Sequence, residues 1–316
     1  MLKIAYHPIY KVPLPEGHRF PMEKYELLPK QLIYEGTCEP DNFFEPVYSE
    51  TYVDLVHTTN YISDLKNLTL DARAARKIGF PLNSALVERE FIIADGTIKA
   101  CNFALEYGIA MNIAGGTHHA YTNRGEGFCM FNDQAIGARY LQHTNKAKQV
   151  LIVDLDVHQG NGTAEVFKDD TSVFTFSMHG EKNYPFKKES SDLDIALPSH
   201  TTDDNYLKLL KETLPKLISD VNPDFIFYLS GVDILETDKL GKLSCSILGC
   251  KERDRFVLQL CKDLNIPVEV SMGGGYSKDI KKIIEAHKGE LLINSEPFFF
   301  IINDYVSFIK TCKGIK

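Results

Sequence analysis

The chain alternates between short runs of apolar residues and longer stretches in which apolar positions return every three or four residues. The short runs lie at 2–6, 109–113, 150–155, 173–177, 225–229 and 268–271. Most are continuous rather than alternating, the pattern of parallel strands covered on both faces. Between them, helical periodicity runs through 96–107, 132–144, 203–219, 251–264 and 278–287, with Asp95 and either Asn132 or Asp133 as candidate N-caps. This alternation predicts an α/β fold, a single open doubly wound domain with a mainly parallel sheet. No internal repeat, low-complexity linker or domain boundary interrupts it.

Four of the predicted strands run straight into residues that an ordinary loop does not need. The run at 109–113 is followed by AGGTHH, ending in His118 and His119. The run at 150–153 continues into DLDVHQGNG, with Asp154, Asp156, His158 and Asn161. The run at 225–229 leads to SGVD, ending in Asp233, and the run at 268–271 to MGGGY, ending in Tyr276. Open α/β sheets bind ligands outside the carboxyl ends of their strands, so four polar clusters at that edge converge on one site. Asp154, Asp156 and His158 stand at i, i+2 and i+4, which an extended backbone points the same way. Two carboxylates and an imidazole suit a divalent metal, and Asp233 completes an Asp-His-Asp set that leaves a fourth position open. The plainer reading keeps the aspartates as helix caps or solvated residues at strand-to-helix junctions and Tyr276 as an aromatic packed over a glycine turn.

Composition narrows the classes. A net charge of -8 and a pI near 5.7 argue against a nucleic-acid surface. The seven cysteines are scattered without a CxxC pair, the pattern of reduced thiols rather than a disulfide framework or a cysteine zinc site. The N-terminal MLKIAYHPIY does not read as a signal peptide, and no apolar run reaches the roughly 18 residues of a membrane span. A soluble cytoplasmic protein with no membrane association is the expectation.

The motifs GGTHHA, GFCMFND, DLDVHQGNGT, SGVD and MGGGY, in this order and spacing, resemble those of the histone deacetylase family. The N-terminal YHPIYKVPLPEGHRFPMEKY and the string FSMHGEKNYPF are most similar to its class IV branch and bacterial relatives. The resemblance covers residues 1–290 and implies the arginase/deacetylase fold. It implies Zn2+ on Asp156, His158 and Asp233, with Fe2+ an alternative for the same ligands, and a structural K+ on carbonyls of Asp154, Asp156, His158 and Met178 with Ser177. His118, His119 and Tyr276 then become catalytic, with Asp154 orienting His118 and Asn161 facing His119. Because a carboxylate favours imidazolium and an amide does not, His119 is the expected general base. Gly127, Phe128 and Tyr184 match an acyl-lysine tunnel, and Arg19 matches an arginine of an inner product channel.

The implied reaction is removal of acetyl or longer acyl groups from lysine side chains, with an acetylpolyamine or other small acylated amine as the alternative substrate. A two-manganese ureohydrolase needs more aspartates than follow His158, and a magnesium phosphatase built on DLD leaves the paired histidines unused. A non-catalytic acyl-lysine reader is the remaining rival. Several class I deacetylases carry an aspartate that clamps the substrate backbone near the stretch that here reads Gly79-Phe80-Pro81-Leu82, with no acid, which argues against the same peptide-backbone contact. Residues 291–316, with Phe298, Phe299 and Phe300, are expected to pack on the same domain or at a subunit contact.

Overall fold

A computed structural model of the chain describes residues 1–290, so the C-terminal segment at 291–316 lies outside the described residues. In chain order the strands are β1 (Lys3–Ala5), β2 (Phe43–Phe44), β3 (Ile109–Asn112), β4 (Val150–Asp154), β5 (Val173–Gly180), β6 (Leu193–Leu197), β7 (Phe225–Ser230) and β8 (Val268–Met272). They form one sheet in the order β2-β1-β3-β8-β7-β4-β5-β6, and every neighbouring pair is parallel. All residues of β4, β7 and β8 are buried, which requires cover on both faces and explains the apolar runs that make up β4 and β7 up to their last residues, whereas β8 reads Val-Glu-Val-Ser-Met and buries Glu269 and Ser271. The two strands that the apolar pattern does not reveal are β2, only two residues long, and β6, whose Leu-Asp-Ile-Ala-Leu alternates at the sheet's edge.

The helices are α1 (Lys24–Tyr34), α2 (Thr59–Lys66), α3 (Ala72–Ile78), α4 (Ser84–Tyr107), α5 (Asp133–His143), α6 (Asn161–Phe167), α7 (Asp203–Val221), α8 (Ile247–Asp263) and α9 (Ile280–His287). The main helix–helix contacts fall in two groups, α4 with α5 and α2, and α7 with α8, α9 and α1. Asn132 caps α5 as expected, accepting from Ala135 N at 3.1 Å. Asp95 does not cap α4. That helix starts at Ser84 behind Asn83, and Asp95 lies inside it, accepting from Val47 N at 2.7 Å and pairing with Lys99 at 2.8 Å. The helix continues through Gly96 because close packing demands a glycine there. A Cβ on Gly96 would stand 2.6 Å from the Tyr10 hydroxyl and 2.9 Å from Asn112 Nδ2.

A buried ion pair fixes the sheet edge that carries the polar clusters. Arg253 on α8 and its neighbour Asp254 are both fully buried, with Arg253 Nε 2.8 Å from Asp254 Oδ1. The same guanidinium donates to Ser230 Oγ at 2.8 Å, to Leu155 O at 3.3 Å and, through a shorter bond, to Gly231 O. One side chain thus ties the turn after β4 to the turn after β7. Removing it leaves the Asp254 carboxylate buried and unmatched. Arg253→Ala is expected to lower the unfolding free energy by about 3–5 kcal/mol, read from urea denaturation. An unchanged midpoint contradicts the assigned role.

Candidate active site

The strands that carry the four polar clusters, β3, β8, β7 and β4, are consecutive neighbours at the centre of the sheet. Their register is level, with Asn112 beside Ser271, Ser271 beside Leu229 and Leu229 beside Asp154. The chain segments that follow therefore leave the sheet at one height, and the clusters meet.

Asp156, His158 and Asp233 are buried, and one ligand atom from each lies within 4.8 Å of the other two. His158 Nδ1 is 3.0 Å from Asp156 Oδ1 and 3.1 Å from Asp233 Oδ2. Backbone donors orient both carboxylates. Val157 N donates to Asp233 Oδ1 at 2.9 Å, and Gly274 N to Asp156 Oδ2 at 2.7 Å. The other oxygen of Asp233, Oδ2, is buried without a directed hydrogen bond despite its closeness to His158. Burial disfavours a charged imidazole, yet the Asp156 and Asp233 carboxylates outweigh it and raise the His158 pKa to about 10. An orphaned carboxylate oxygen, a second carboxylate and an imidazole in a cluster that attracts positive charge fit a divalent cation.

The extended backbone expected from Asp154 to His158 is not realised. Strand β4 ends at Asp154, after which Asp156 N turns back to Asp154 Oδ1 and His158 N to Asp156 Oδ1, at 3.1 and 2.9 Å. Asp154 is not among the grouped ligand atoms and instead bonds His118 Nδ1 at 2.7 Å. His119 Nδ1 instead meets Asn161 Oδ1 at 2.6 Å, and Asn161 Nδ2 donates to the Tyr121 hydroxyl at 2.9 Å. The Tyr121 hydroxyl gives its own hydrogen to Glu189 Oε1 at 3.3 Å, so it accepts from Asn161 and the amide oxygen is the end that faces His119. Asn161 Oδ1 accepts only, so Nδ1 carries the hydrogen and Nε2 keeps its lone pair. The two rings lie 4.1 Å apart but differ electrostatically. Burial opposes charge on both. The Asp154 carboxylate outweighs burial and raises the His118 pKa. His119 has no such partner, and burial together with the charges of His118 and His158 pushes its pKa well below the usual value. His119 is held neutral beside a histidine that favours its proton.

Tyr276 lines the same pocket. Burial, then the charges of Asp156 and Asp233, push its phenol pKa well up, so the hydroxyl keeps its hydrogen. Gly127 and Phe128 form the pocket wall, and the absence of a side chain at Gly127 is required, since a Cβ there would stand 2.6 Å from His119 Cδ2 at a φ of +55°. Tyr184 stands beside this wall, edge-on to His119 with ring centroids 5.0 Å apart, its hydroxyl donating to Glu126 Oε2 at 2.7 Å. Ser177 on β5 pairs with Asp154 in register, and Met178 follows it, so both lie behind the ligand segment. Arg19 does not reach the inner pocket. It is exposed, with its guanidinium 4.9 Å from the Phe128 ring centroid.

The pocket lining extends from Tyr276 to the buried side chains of Lys24, Tyr25 and Arg89. The charge of Arg89 is matched by buried Glu90. Lys24 is buried too, but its ammonium donates to the neutral Gly273 carbonyl at 3.0 Å. Burial lowers its pKa to about 8 against the attraction of Asp233 and Asp156. Sequence reasoning passed over Lys24, Glu126 and Arg253. For Lys24 a signal existed, because it shares one helical stripe with Leu28 and Leu32 and is thus a lysine on an apolar face.

Fold and site together define a parallel α/β domain with a buried Asp-His-Asp cluster beside paired histidines at the carboxyl edge of its sheet. Residues 18–291 match the histone deacetylase domain, and the chain belongs to the histone deacetylase family. A protein of the cyanobacterium Picosynechococcus sp. is 45% identical over 285 residues, 90% of this chain and 95% of that protein. Histone deacetylase 2 of Arabidopsis thaliana is 34% identical, over 84% of this chain and 72% of its own. The acetoin utilization protein AcuC of Staphylococcus aureus is 26% identical over 83% and 73%. The crystal structure of the HDA15 HD domain shares the fold, with a TM-score of 0.77, 19% identity and coverage of 93% and 91%. Among the described residues no helix is long and apolar enough to cross a membrane.

The asymmetry of the histidines gives a pH test. A carboxylate in place of Asn161 stabilises imidazolium, raises the His119 pKa and keeps a base at that position protonated to higher pH. Asn161→Asp is expected to move the acidic limb of the kcat/KM profile upward by about one unit or more. A limb that stays put, or moves down, contradicts proton transfer at His119.

Proposed function

We propose that residues 1–290 form one catalytic domain that hydrolyses the amide bond of acylated lysine side chains, with His119 as general base. The observation that carries this reading is the neutral His119, its Nε2 lone pair uncommitted, beside a buried Asp-His-Asp cluster on the wall of one pocket. Asp156, His158 and Asp233 would hold Zn2+, or Fe2+ on the same oxygen and nitrogen donors. Such an ion, when bound, supplies Lewis-acid polarisation of the amide carbonyl and acidifies a water.

The chain's own groups account for the rest. His119 Nε2 takes the proton of the attacking water, and Asn161 holds the tautomer that allows it. His118, kept protonated by Asp154, returns a proton to the departing amine. The Tyr276 hydroxyl donates to the oxygen on which negative charge develops, where one placed donor is worth about 3 kcal/mol. Phe128 and Tyr184 give the alkyl stem an aromatic passage, and glycine at 127 leaves room for it. The acyl group leaves as a carboxylate, and Lys24 at the inner end of the pocket takes the product-facing role expected of Arg19. A structural K+ on the carbonyls of Asp154, Asp156, His158 and Met178, with Ser177, would brace the ligand segment from behind.

Acyl chains longer than acetyl are part of this reading, since each methylene that the site buries contributes about 0.8 kcal/mol. The test is turnover of acetyl-, octanoyl- and myristoyl-lysine peptides, with and without chelator. Activity that chelator abolishes and zinc restores is expected, with the longer chains accepted. His119→Ala is expected to cut kcat by about 10²–10⁴ and Tyr276→Phe by about 10²–10³, with bound metal retained in both. Undiminished turnover in chelator contradicts the reading. An acetylated polyamine consumed faster than every lysine substrate would move the activity to small amines.

A further inference from the structure

The mouth of the pocket carries charge that the hydrolysis does not use. Residues 18–20, the C-terminal end of α3 and residues 124–128 meet there and are bonded to one another. His18 Nε2 lies 3.0 Å from Gly79 O, while Gly127 N and Phe128 N donate to Lys77 O and Ile78 O at 3.0 and 2.6 Å. Phe128 stands at the junction, its ring centroid 5.1 Å from those of Phe20 and Phe80. Each segment contributes a cation. Arg19 lays its guanidinium over the Phe128 ring. Lys77 Nζ and Arg124 Nε both reach Glu126 Oε1, at 3.2 and 3.0 Å, and the Tyr184 hydroxyl takes up the other oxygen. Glu126 thus pairs with both cations and is fully occupied, and Arg124 also lies in the field of Glu165. Arg19 is answered by none.

Arg19 is exposed and, apart from the ring contact, has no hydrogen bond or ion pair among the described residues. The ring contact engages none of the guanidinium's N–H groups in a hydrogen bond, so its N–H fork is available to bind a carboxylate bidentately. The ring also limits the freedom that such a pairing must remove. The cationic rim is local, because the whole chain carries -8. The stretch Gly79-Phe80-Pro81-Leu82 at the same rim adds no acid.

We propose that Arg19 is a specificity-determining residue at the pocket mouth, pairing with a carboxylate on the amine carrier and so selecting acyl-lysines with adjacent negative charge. The proposal rests on the deacylase reading above. The carboxylate has two possible sources, the α-carboxylate of free Nε-acyl-lysine or an acidic side chain flanking acyl-lysine in a peptide.

Two matched pairs separate them. N-capped Nε-acetyl-lysine is compared with its α-amide, and an acetyl-lysine peptide with flanking aspartates is compared with its asparagine counterpart. In at least one pair the carboxylate member is expected to show about five- to tenfold higher kcat/KM at low ionic strength, a ratio that shrinks in 0.5 M salt. Arg19→Gln should bring the ratio to about one, while Arg19→Lys, which keeps the charge but loses the fork, should retain part of it. The pair that shows the effect identifies the source. Equilibrium binding of the same four compounds to the Tyr276→Phe protein is read in parallel, so the result does not depend on turnover. Turnover without charge preference overturns this proposal alone, as does a preference unchanged in Arg19→Gln. Charge-selective binding that Arg19→Gln abolishes, with no turnover by the parent enzyme, supports the Arg19 site and overturns the deacylase reading.

Discussion

Two aspartates held side by side out of water are the constraint on which the rest of the site depends. Asp156 and Asp233 repel one another, and burial raises the cost of charging either. Their placement is enforced from outside the pair. Backbone donors at Val157 and Gly274 grip one oxygen of each, and Arg253 holds the carbonyls of Leu155 and Gly231, one residue before Asp156 and two before Asp233. Parallel strands in level register make this possible, since β4 and β7 are adjacent and end together. The chain thus spends buried polar interactions to bring like charges close, and a cation at the cluster relieves the conflict. His158 answers part of that demand, as its raised pKa indicates.

The same negative field shapes the histidine pair. Adjacent imidazoles in one pocket would titrate alike if their partners were alike. Asp154 and Asn161 divide them, one favouring a proton and the other fixing a tautomer. The distinction arises from residues seven positions apart on one segment, brought back by the turn that ends β4 and begins α6. Burial of Tyr276 in the same field works to a third end, keeping its phenol a donor.

Much of this was legible in the chain because the signals were local. Short apolar runs, most of them continuous, mark six of the eight strands, and the polar residues that follow four of them mark the site. What escaped depended on partners distant in sequence. Asp95 reads as a cap before Gly96, but Tyr10 and Asn112, both far away, explain why that helix runs through the glycine. The run from Asp154 to His158 reads as extended until side chains capture the backbone N–H groups. Arg19 and Lys24 show the difficulty most clearly. Motif order suited Arg19 to the inner channel, whereas the rotation of α1 puts Lys24 inside and leaves Arg19 on the rim.

The central claim is that Asp156, His158 and Asp233 form a mononuclear metal centre of oxygen and nitrogen donors. Its most direct test is elemental analysis of the purified protein combined with X-ray absorption at the metal edge. One zinc or iron per chain, with oxygen and nitrogen neighbours near 2.0–2.2 Å and no sulfur, is the predicted result. Two metals per chain, a sulfur ligand, or undiminished binding in Asp233→Ala would contradict it.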